Sequence, residues 1–155
     1  MKIEIVVEEP KWRTAHGLGP KLKRAARLAL KKSGKVEGGA ALTILLAGDE
    51  KVRALNRGFR RKDNPTNVLS FPAAANADNY LGDVALAYGV TRGEAHASGK
   101  RVSDHAVHLV VHGVLHLLGY DHETSRQAGV MEPLETAILA SLGIADPYAP
   151  RAKLA

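Results

Sequence analysis

Histidines recur every three or four residues from His105 to His116, and His122 follows three residues after Gly119. Residues three and four apart lie on the same face of an α-helix, so His112 and His116 can share one metal ion through their ring nitrogens. A third ligand on the same helix would point past the metal, and Gly119 permits the left-handed backbone that turns the chain back. We therefore interpret His112, His116 and His122 as metal ligands that leave a fourth coordination position open, as in catalytic rather than structural sites.

His105 and His108 lie on the same helical stripe, but a catalytic metal needs only three protein ligands. We expect them either to support the ligands by hydrogen bonds or to pack against a sheet. A helix that is merely rich in histidine is the alternative for the whole stretch. Asp121 is a candidate to orient His122 or a neighbouring ligand, and a plain loop role is the alternative. Asp83 is a weaker candidate for the same role and is otherwise expected in a turn.

The spacing of the three histidines matches the metallopeptidase signature H-E-x-x-H-x-x-G-x-x-H, with Gly113 at the position of the glutamate. That glutamate is the general base of the peptidases, so this motif alone does not support peptide hydrolysis. Phosphodiesters are the alternative substrate class, because an arginine can bind the negative charge that develops on their oxygens. Arg60, Arg61 and Lys62 precede a predicted strand and are candidates for that contact, with ordinary surface charge as the alternative.

The protein carries a formal net charge of +6, and its positive residues are concentrated in the first half of the chain. The segment from Lys11 to Val36 contains lysines and arginines but no acid, and a second basic cluster lies between Lys51 and Lys62. Concentrated positive charge is typical of proteins that bind polyanions such as nucleic acid, whereas a solvated helix face is the alternative.

The 155-residue chain has no cysteine, so it can form neither disulfides nor thiolate metal sites. Any metal must be held by His, Asp or Glu. The first ten residues lack the apolar core of a signal peptide. The uncharged run 105–120 is shorter than the roughly 20 residues that a membrane span needs. We expect a cytoplasmic protein without a membrane segment.

Apolar periodicity predicts four strands, over residues 2–7, 41–47, 68–71 and 81–88, with 41–47 as a central strand. Two helices are predicted by their ranges, at about Pro20 to Lys32 and over 125–142. Three more are predicted by their first residues: one after a cap at Asp49, one after a capping box of Thr91 and Glu94, and one after a cap at Ser103. The last helix is expected to bury Val130, Leu134, Ala137, Ile138 and Leu142. We predict one α/β or α+β domain over residues 1–145 and a loose tail over 146–155.

Several collinear motifs carry a further signal. They are Asn56-x-x-Phe59-Arg60-x-x-Asp63-x-Pro65-Thr66-Asn67-Val68-Leu69-Ser70-Phe71-Pro72, then Leu81-Gly82-Asp83, then His108-Leu-x-x-His112-Gly-x-Leu-His116-Leu-x-Gly119-Tyr120-Asp121-His122, then Met131 and Glu135. Together they resemble the YbeY endoribonucleases, the metal-dependent ribosomal RNA maturation factors of bacteria. Asn67 departs from the pattern, because that family usually has aspartate there.

The resemblance implies a zincin-like α/β (α+β) domain, in which a mixed sheet of about four strands supports a metal-binding helix and a C-terminal helix. It implies one Zn²⁺ per chain on His112, His116 and His122, with Arg60 completing the catalytic site. The implied activity is endonucleolytic cleavage of single-stranded RNA, in 3′-end maturation of small-subunit ribosomal RNA and in ribosome quality control. The implied partners are ribosomal RNA, the small ribosomal subunit and possible accessory proteins of ribosome assembly.

Four basic residues outside the predicted catalytic site are expected to contact the RNA backbone: Lys23, Arg27, Arg57 and Arg61. Two other functions stay open at this point. One is a non-catalytic RNA-binding module of ribosome assembly with a structural zinc. The other, less favoured, is a metallopeptidase, for which the basic surface offers no reason.

Overall fold

The structure, a computed structural model, describes residues 1–36, 39–60 and 66–148, and of Arg60 only the backbone. The described strands are β1 (Lys2–Val7), β2 (Ala41–Ala47), β3 (Val68–Pro72) and β4 (Tyr80–Ala87). The described helices are α1 (Leu18–Ser33), α2 (Asp49–Arg60), α3 (Tyr88–Ala97), α4 (Val102–Leu117) and α5 (Ser125–Ser141), with a short 3₁₀ helix at Pro10–Thr14. No helix in these ranges is long and apolar enough to span a membrane.

The four strands form one mixed sheet in the order β1-β2-β4-β3. Strands β1, β2 and β4 are parallel, and β3 runs antiparallel to β4. The apolar run of β2 therefore lies between two parallel neighbours, which confirms the prediction of a central strand. The mixed four-stranded sheet and its helices also confirm the predicted fold class.

The two faces of the sheet are covered by different helices. Ile44 of β2 and Val84 of β4 belong to the main core, in which α1, α4 and α5 pack on one face. On the other face, Val52 of α2 packs with Leu69 and Ala85 in a smaller apolar cluster. The histidine helix α4 thus lies on the main-core face, above β3 and β4.

The beginnings of α3 and α4 differ from the prediction. Helix α3 begins at Tyr88 without a side-chain cap, because Thr91 lies inside the helix and its hydroxyl donates to the Ala87 carbonyl. Helix α4 follows Arg101 and not Ser103. Helix α5 begins at Ser125 as predicted, after a capping box of Thr124 and Gln127 that was not predicted.

The buried face of α5 is also different. Val130 was expected to be inside but is 59% exposed, and the buried residues are Met131, Glu135, Ile138 and Leu139. Of the five positions expected inside, Ile138 is buried and Leu134 and Leu142 are partly buried, whereas Val130 and Ala137 are exposed, so the buried stripe is displaced toward Met131 and Glu135. A glutamate lies in the middle of the buried stripe, which is why a search for apolar periodicity selected the adjacent stripe.

Candidate metal centre

The three predicted metal ligands lie together where α4 ends. His112 and His116 are one turn apart, with their Nε2 atoms at 3.1 Å from each other, and both are half-buried. The chain then turns at Gly119, whose φ of 93° is in the left-handed region, and exposed His122 follows in the loop. One nitrogen from each of the three rings lies within 4.8 Å of the others. This is the geometry that the spacing predicted.

Glu135 of α5 supports one of these histidines from behind. Its Oε1 atom lies 2.6 Å from Nδ1 of His112, and its side chain is fully buried. A carboxylate can only accept here, so Nδ1 of His112 carries the proton and Nε2 presents its lone pair to the other two rings. The hydrogen bond therefore sets the tautomer that a metal ligand requires.

Glu135 is held as a carboxylate by its other partners as well. Its Oε2 atom accepts a hydrogen bond from the hydroxyl of Tyr148 and lies 3.4 Å from Nε2 of His108. Burial alone would raise the pKa of Glu135, but the hydrogen bonds from His108, His112 and Tyr148 outweigh burial and lower the pKa to about 2. The pKa of Tyr148 is raised by burial and by the nearby carboxylate, so its hydroxyl keeps its proton.

The protonation of His116 also suits a metal ligand. Burial lowers the pKa of this imidazole, and the neighbouring His112 and His122 rings lower it further. A metal ligand must be a neutral imidazole, and burial favours that form. Three converging imidazoles, one of them backed by a carboxylate, therefore match the donor set of a catalytic Zn²⁺ site.

The three histidines open into a cleft of about 660 Å³. Polar groups from the β3 side and from the loop line it, including Asn56, Thr66, Asn67 and Asp121. Asn56 is buried, with 3% of its surface exposed. The cleft is therefore open to solvent on the His122 side and large enough for a polar substrate.

His105 and His108 extend the histidine stripe away from the three ligands. His105 Nε2 lies 2.9 Å from Glu94 Oε1, and His108 contacts Glu135. In the described chain, the cluster that can hold a metal contains neither of them. His108 shares the Glu135 carboxylate with His112, and its ring also meets that of His112 edge to face at 6.4 Å between centroids.

Asn67, the residue that departs from the family pattern, donates from Nδ2 to Oε1 of Glu94 at 3.0 Å. An aspartate there would place a second carboxylate beside Glu94, so an amide fits the local charge.

The described hydrogen bonds of the two candidate aspartates do not involve ligand side chains. Asp121 accepts from the backbone N–H of His122 at 2.7 Å, which is a loop role. Asp83 lies within β4, on the face opposite α4, where the Tyr80 hydroxyl donates to it. The idea that Asp83 supports the metal site, and the expectation that it occupies a turn, are both wrong.

The predicted RNA-binding residues differ in how far they are exposed. Lys23 is half-buried and Arg27 exposed on α1, and Arg57 is exposed on α2. Of the residues described, the cleft around the three histidines is lined by none of these three. The side chain of Arg60 and the whole of Arg61 lie outside the described residues.

A basic residue that the sequence analysis did not single out lies beside the metal loop. Lys35, just after α1, places its Nζ atom 3.9 Å from the ring centre of Tyr120 and 3.4 Å from the Leu118 carbonyl oxygen. Tyr120 lines the cleft. The C-terminal end of the basic helix α1 therefore reaches the loop that carries His122.

Known proteins resemble this chain along most of its length. The family model described as Endoribonuclease YbeY matches residues 12–143. A relative named Endoribonuclease YbeY from Rhodopseudomonas palustris is 47% identical, over 94% of this chain and 80% of its own. One of the same name from Paramagnetospirillum magneticum is 48% identical, over 94% of this chain and 96% of its own.

A solved structure supports the fold independently. The solution structure of a protein from Thermotoga maritima matches with a TM-score of 0.54 and 22% identity, over 96% of this chain and 99% of that one. At that identity the likeness concerns the fold alone. The match of the family model and the identities to the relatives together show that this chain belongs to the endoribonuclease YbeY family.

Proposed function

We propose that this protein is a Zn²⁺-dependent endoribonuclease that cleaves single-stranded RNA. The observation that carries the proposal is the convergence of His112, His116 and His122 at an open cleft, with Glu135 fixing the tautomer of His112. The substrate class comes from the relatives, which are named endoribonucleases. The expected substrate is the 3′ end of small-subunit ribosomal RNA, and we propose that the protein acts in the cytoplasm on the small ribosomal subunit, together with accessory proteins.

Each residue of the site has a distinct proposed role in the reaction. A Zn²⁺ ion held by the three histidines would act as a Lewis acid at the scissile phosphate. Glu135 keeps His112 in the tautomer and orientation of a ligand. Arg60, at the end of α2, is proposed to bind the negative charge that develops on the phosphate oxygens. Gly113 supplies no base, so the general base and acid are not taken from the position used by metallopeptidases.

The RNA strand is proposed to extend from the cleft over the basic surface. Lys23, Arg27, Arg57 and Arg61 are the proposed backbone contacts, and Lys35 joins α1 to the metal loop. We propose residues 1–145 as the endoribonuclease domain. Of the predicted tail, residues 146–148 contact α5, and 149–155 lie outside the described residues.

The function is tested with purified protein on a single-stranded RNA that spans a ribosomal RNA 3′ end. We expect His116→Ala to lose bound Zn²⁺ and to reduce cleavage to background. We expect Arg60→Ala to keep its Zn²⁺ and to cleave roughly 100-fold more slowly, the typical cost of removing one donor to a developing charge. The matched controls are His96→Ala and Arg92→Ala, which remove the same residue types from α3, away from the cleft.

Three results would reject the proposal. Cleavage that persists in metal-free His116→Ala protein would come from a contaminating nuclease. A wild-type protein that binds RNA and Zn²⁺ but does not cleave would instead be an RNA-binding module of ribosome assembly with a structural zinc. Peptide cleavage that requires His116 would indicate the metallopeptidase alternative.

A further inference from the structure

The chain does not leave the domain where α5 ends. A turn at Gly143, with φ of 76°, reverses it, and the N–H of Ile144 donates to the Leu139 carbonyl at 2.9 Å. Asp146 then accepts from the Thr136 hydroxyl at 3.1 Å and from the N–H of Tyr148 at 2.8 Å. These contacts hold residues 146–148 against α5, and we call these three residues the C-terminal clasp.

The clasp brings one functional group to the metal centre. The hydroxyl of Tyr148 donates to Oε2 of Glu135, while Oε1 of the same carboxylate accepts from His112. Oε2 also contacts Nε2 of His108, at 3.4 Å, which is a longer contact than the one with Tyr148. The Tyr148 hydroxyl is therefore the close partner that keeps the Glu135 carboxylate from rotating away from His112.

Burial of the Tyr148 ring does not by itself explain why Tyr148 lies against Glu135. Tyr148 is 45% exposed, and its ring meets His108 edge to face at 6.4 Å between centroids. An exposed aromatic residue contributes little to a core, whereas a hydroxyl on a fully buried carboxylate satisfies a group that is costly to leave unpaired. The hydrogen bond from Tyr148 to Glu135 is thus the contact that matters energetically, and Glu135 in turn contacts His112.

We propose that Tyr148 is a positioning residue of the metal centre, and that docking of the C-terminal clasp sets the affinity for the metal. This inference rests on the proposed metal site. The described side-chain contacts of Tyr148 are with Glu135 and His108, and its effect runs from Tyr148 through Glu135 to His112. The Zn²⁺ affinity of this protein then depends on Tyr148, which follows the last metal ligand, His122, by 26 residues.

The test is the Zn²⁺ affinity of the full chain, measured by competition with a chromogenic chelator. We expect Glu135→Gln to weaken binding about 10- to 100-fold, as is typical when the carboxylate behind a metal-binding histidine is lost. Tyr148→Phe keeps the ring and removes the hydroxyl, and we expect it to weaken binding by about fivefold to tenfold, at or below the lower end of that range. Asp146→Ala should act in the same direction, because it frees the clasp but keeps the hydroxyl.

Tyr80→Phe is the matched control. Its hydroxyl also contacts a carboxylate, that of Asp83, but on the sheet face opposite α4. The inference is wrong if Tyr148→Phe binds Zn²⁺ as tightly as the wild type, whatever its thermal stability, or if Tyr80→Phe loses as much affinity. If wild-type protein binds no Zn²⁺, the proposed function fails as well. If it binds Zn²⁺ and cleaves RNA while both clasp variants bind normally, the inference alone fails.

Discussion

Gly113 follows a metal-binding histidine, yet it faces the sheet rather than the metal. A Cβ atom there would lie 2.6 Å from Cγ1 of Val84 and 3.1 Å from the Ser70 hydroxyl. The same hydroxyl donates to the Gly113 carbonyl at 2.8 Å. The missing side chain thus lets α4 approach β3 and β4 closely. The glutamate of the metallopeptidase signature could not enter this position without moving the helix.

Gly113→Ala is therefore expected to lower the free energy of unfolding, measured by urea denaturation of metal-free protein. Overpacking a core costs about 1–3 kcal/mol, whereas alanine gains roughly 1 kcal/mol over glycine inside a helix, so we expect a net loss of about 1 kcal/mol.

Gly129 is the control for this substitution. It lies in α5, and a Cβ atom there would meet nothing within 4 Å. Gly129→Ala should stabilise the protein, since only the gain in helix propensity remains. A Gly113→Ala protein as stable as the wild type would show that α4 can move away from the sheet at no cost.

The three ligands could be predicted because their spacing in one short segment is itself geometric information. Glu135 and Tyr148 could not be predicted in the same way. They come from a later helix and from the segment after it, and only tertiary packing brings them to His112. A signal existed for Glu135, since Met131, Glu135 and Ile138 share one face of α5. Reading it would have required a glutamate to be accepted on a buried face.

At the scale of elements, the first half of α4 contacts α3 through a hydrogen-bond network. His105 lies against Glu94, which also accepts from Asn67. Burial lowers the pKa of His105, and His108 and Lys100 act in the same direction, whereas Glu94 raises the pKa without cancelling the effect of burial. The folded protein therefore disfavours the charged form of this histidine.

This difference predicts acid sensitivity. The unfolded chain takes up a proton at His105 near the ordinary pKa of about 6.5, while the folded chain does so at lower pH. The unfolded state thus binds more protons below about pH 6.5, and stability falls as the pH decreases through that range. We expect His105→Gln to make the free energy of unfolding of metal-free protein less dependent on pH between about 7 and 5.

His96→Gln, at an exposed position on α3, is the control for this measurement. It should leave the pH dependence as it is in the wild type. An unchanged slope in His105→Gln would mean that other groups account for the acid sensitivity.

Most elements could be predicted closely, and the start of α3 shows why some could not. The strand β2 matches its prediction at both ends, because a continuous apolar run between two glycines has few alternatives. The start of α3 could not be predicted, because Thr91 and Glu94 satisfy a capping pattern but are used otherwise. Thr91 bonds within the helix, and Glu94 bonds to Asn67 and His105. Local capping rules fail where tertiary partners compete for the same side chains.

On the scale of the whole molecule, positive charge and the metal centre meet along one edge. Helix α1 carries exposed basic residues such as Arg27, and its C-terminal end reaches the metal loop through Lys35 and Tyr120. A strand of RNA that follows this charge would lead into the cleft. Binding along such a path is dominated by phosphate contacts, and these depend on salt.

We expect Arg27→Ala to weaken binding of single-stranded RNA to a similar extent for all sequences. The slope of log K against log salt concentration should become shallower by about 0.7 per lost phosphate contact. Fluorescence anisotropy in a His116→Ala background measures this without cleavage. Lys2→Ala, which removes an exposed charge from β1, is the matched control. An equal slope in the two variants would remove α1 from the proposed RNA path.

All three ligands come from residues 112–122, the last turns of α4 and the loop that follows. A crosslink over so short a segment restricts the unfolded chain little, since the entropy of loop closure grows with loop length. The apolar core, built around residues such as Leu22, Ile44 and Leu115, contains none of the ligands. We therefore expect metal-free protein to keep its fold, so that an ion can leave and return without unfolding the domain. Such a protein can survive periods of metal scarcity intact and regain activity when supply is restored, without being synthesised again.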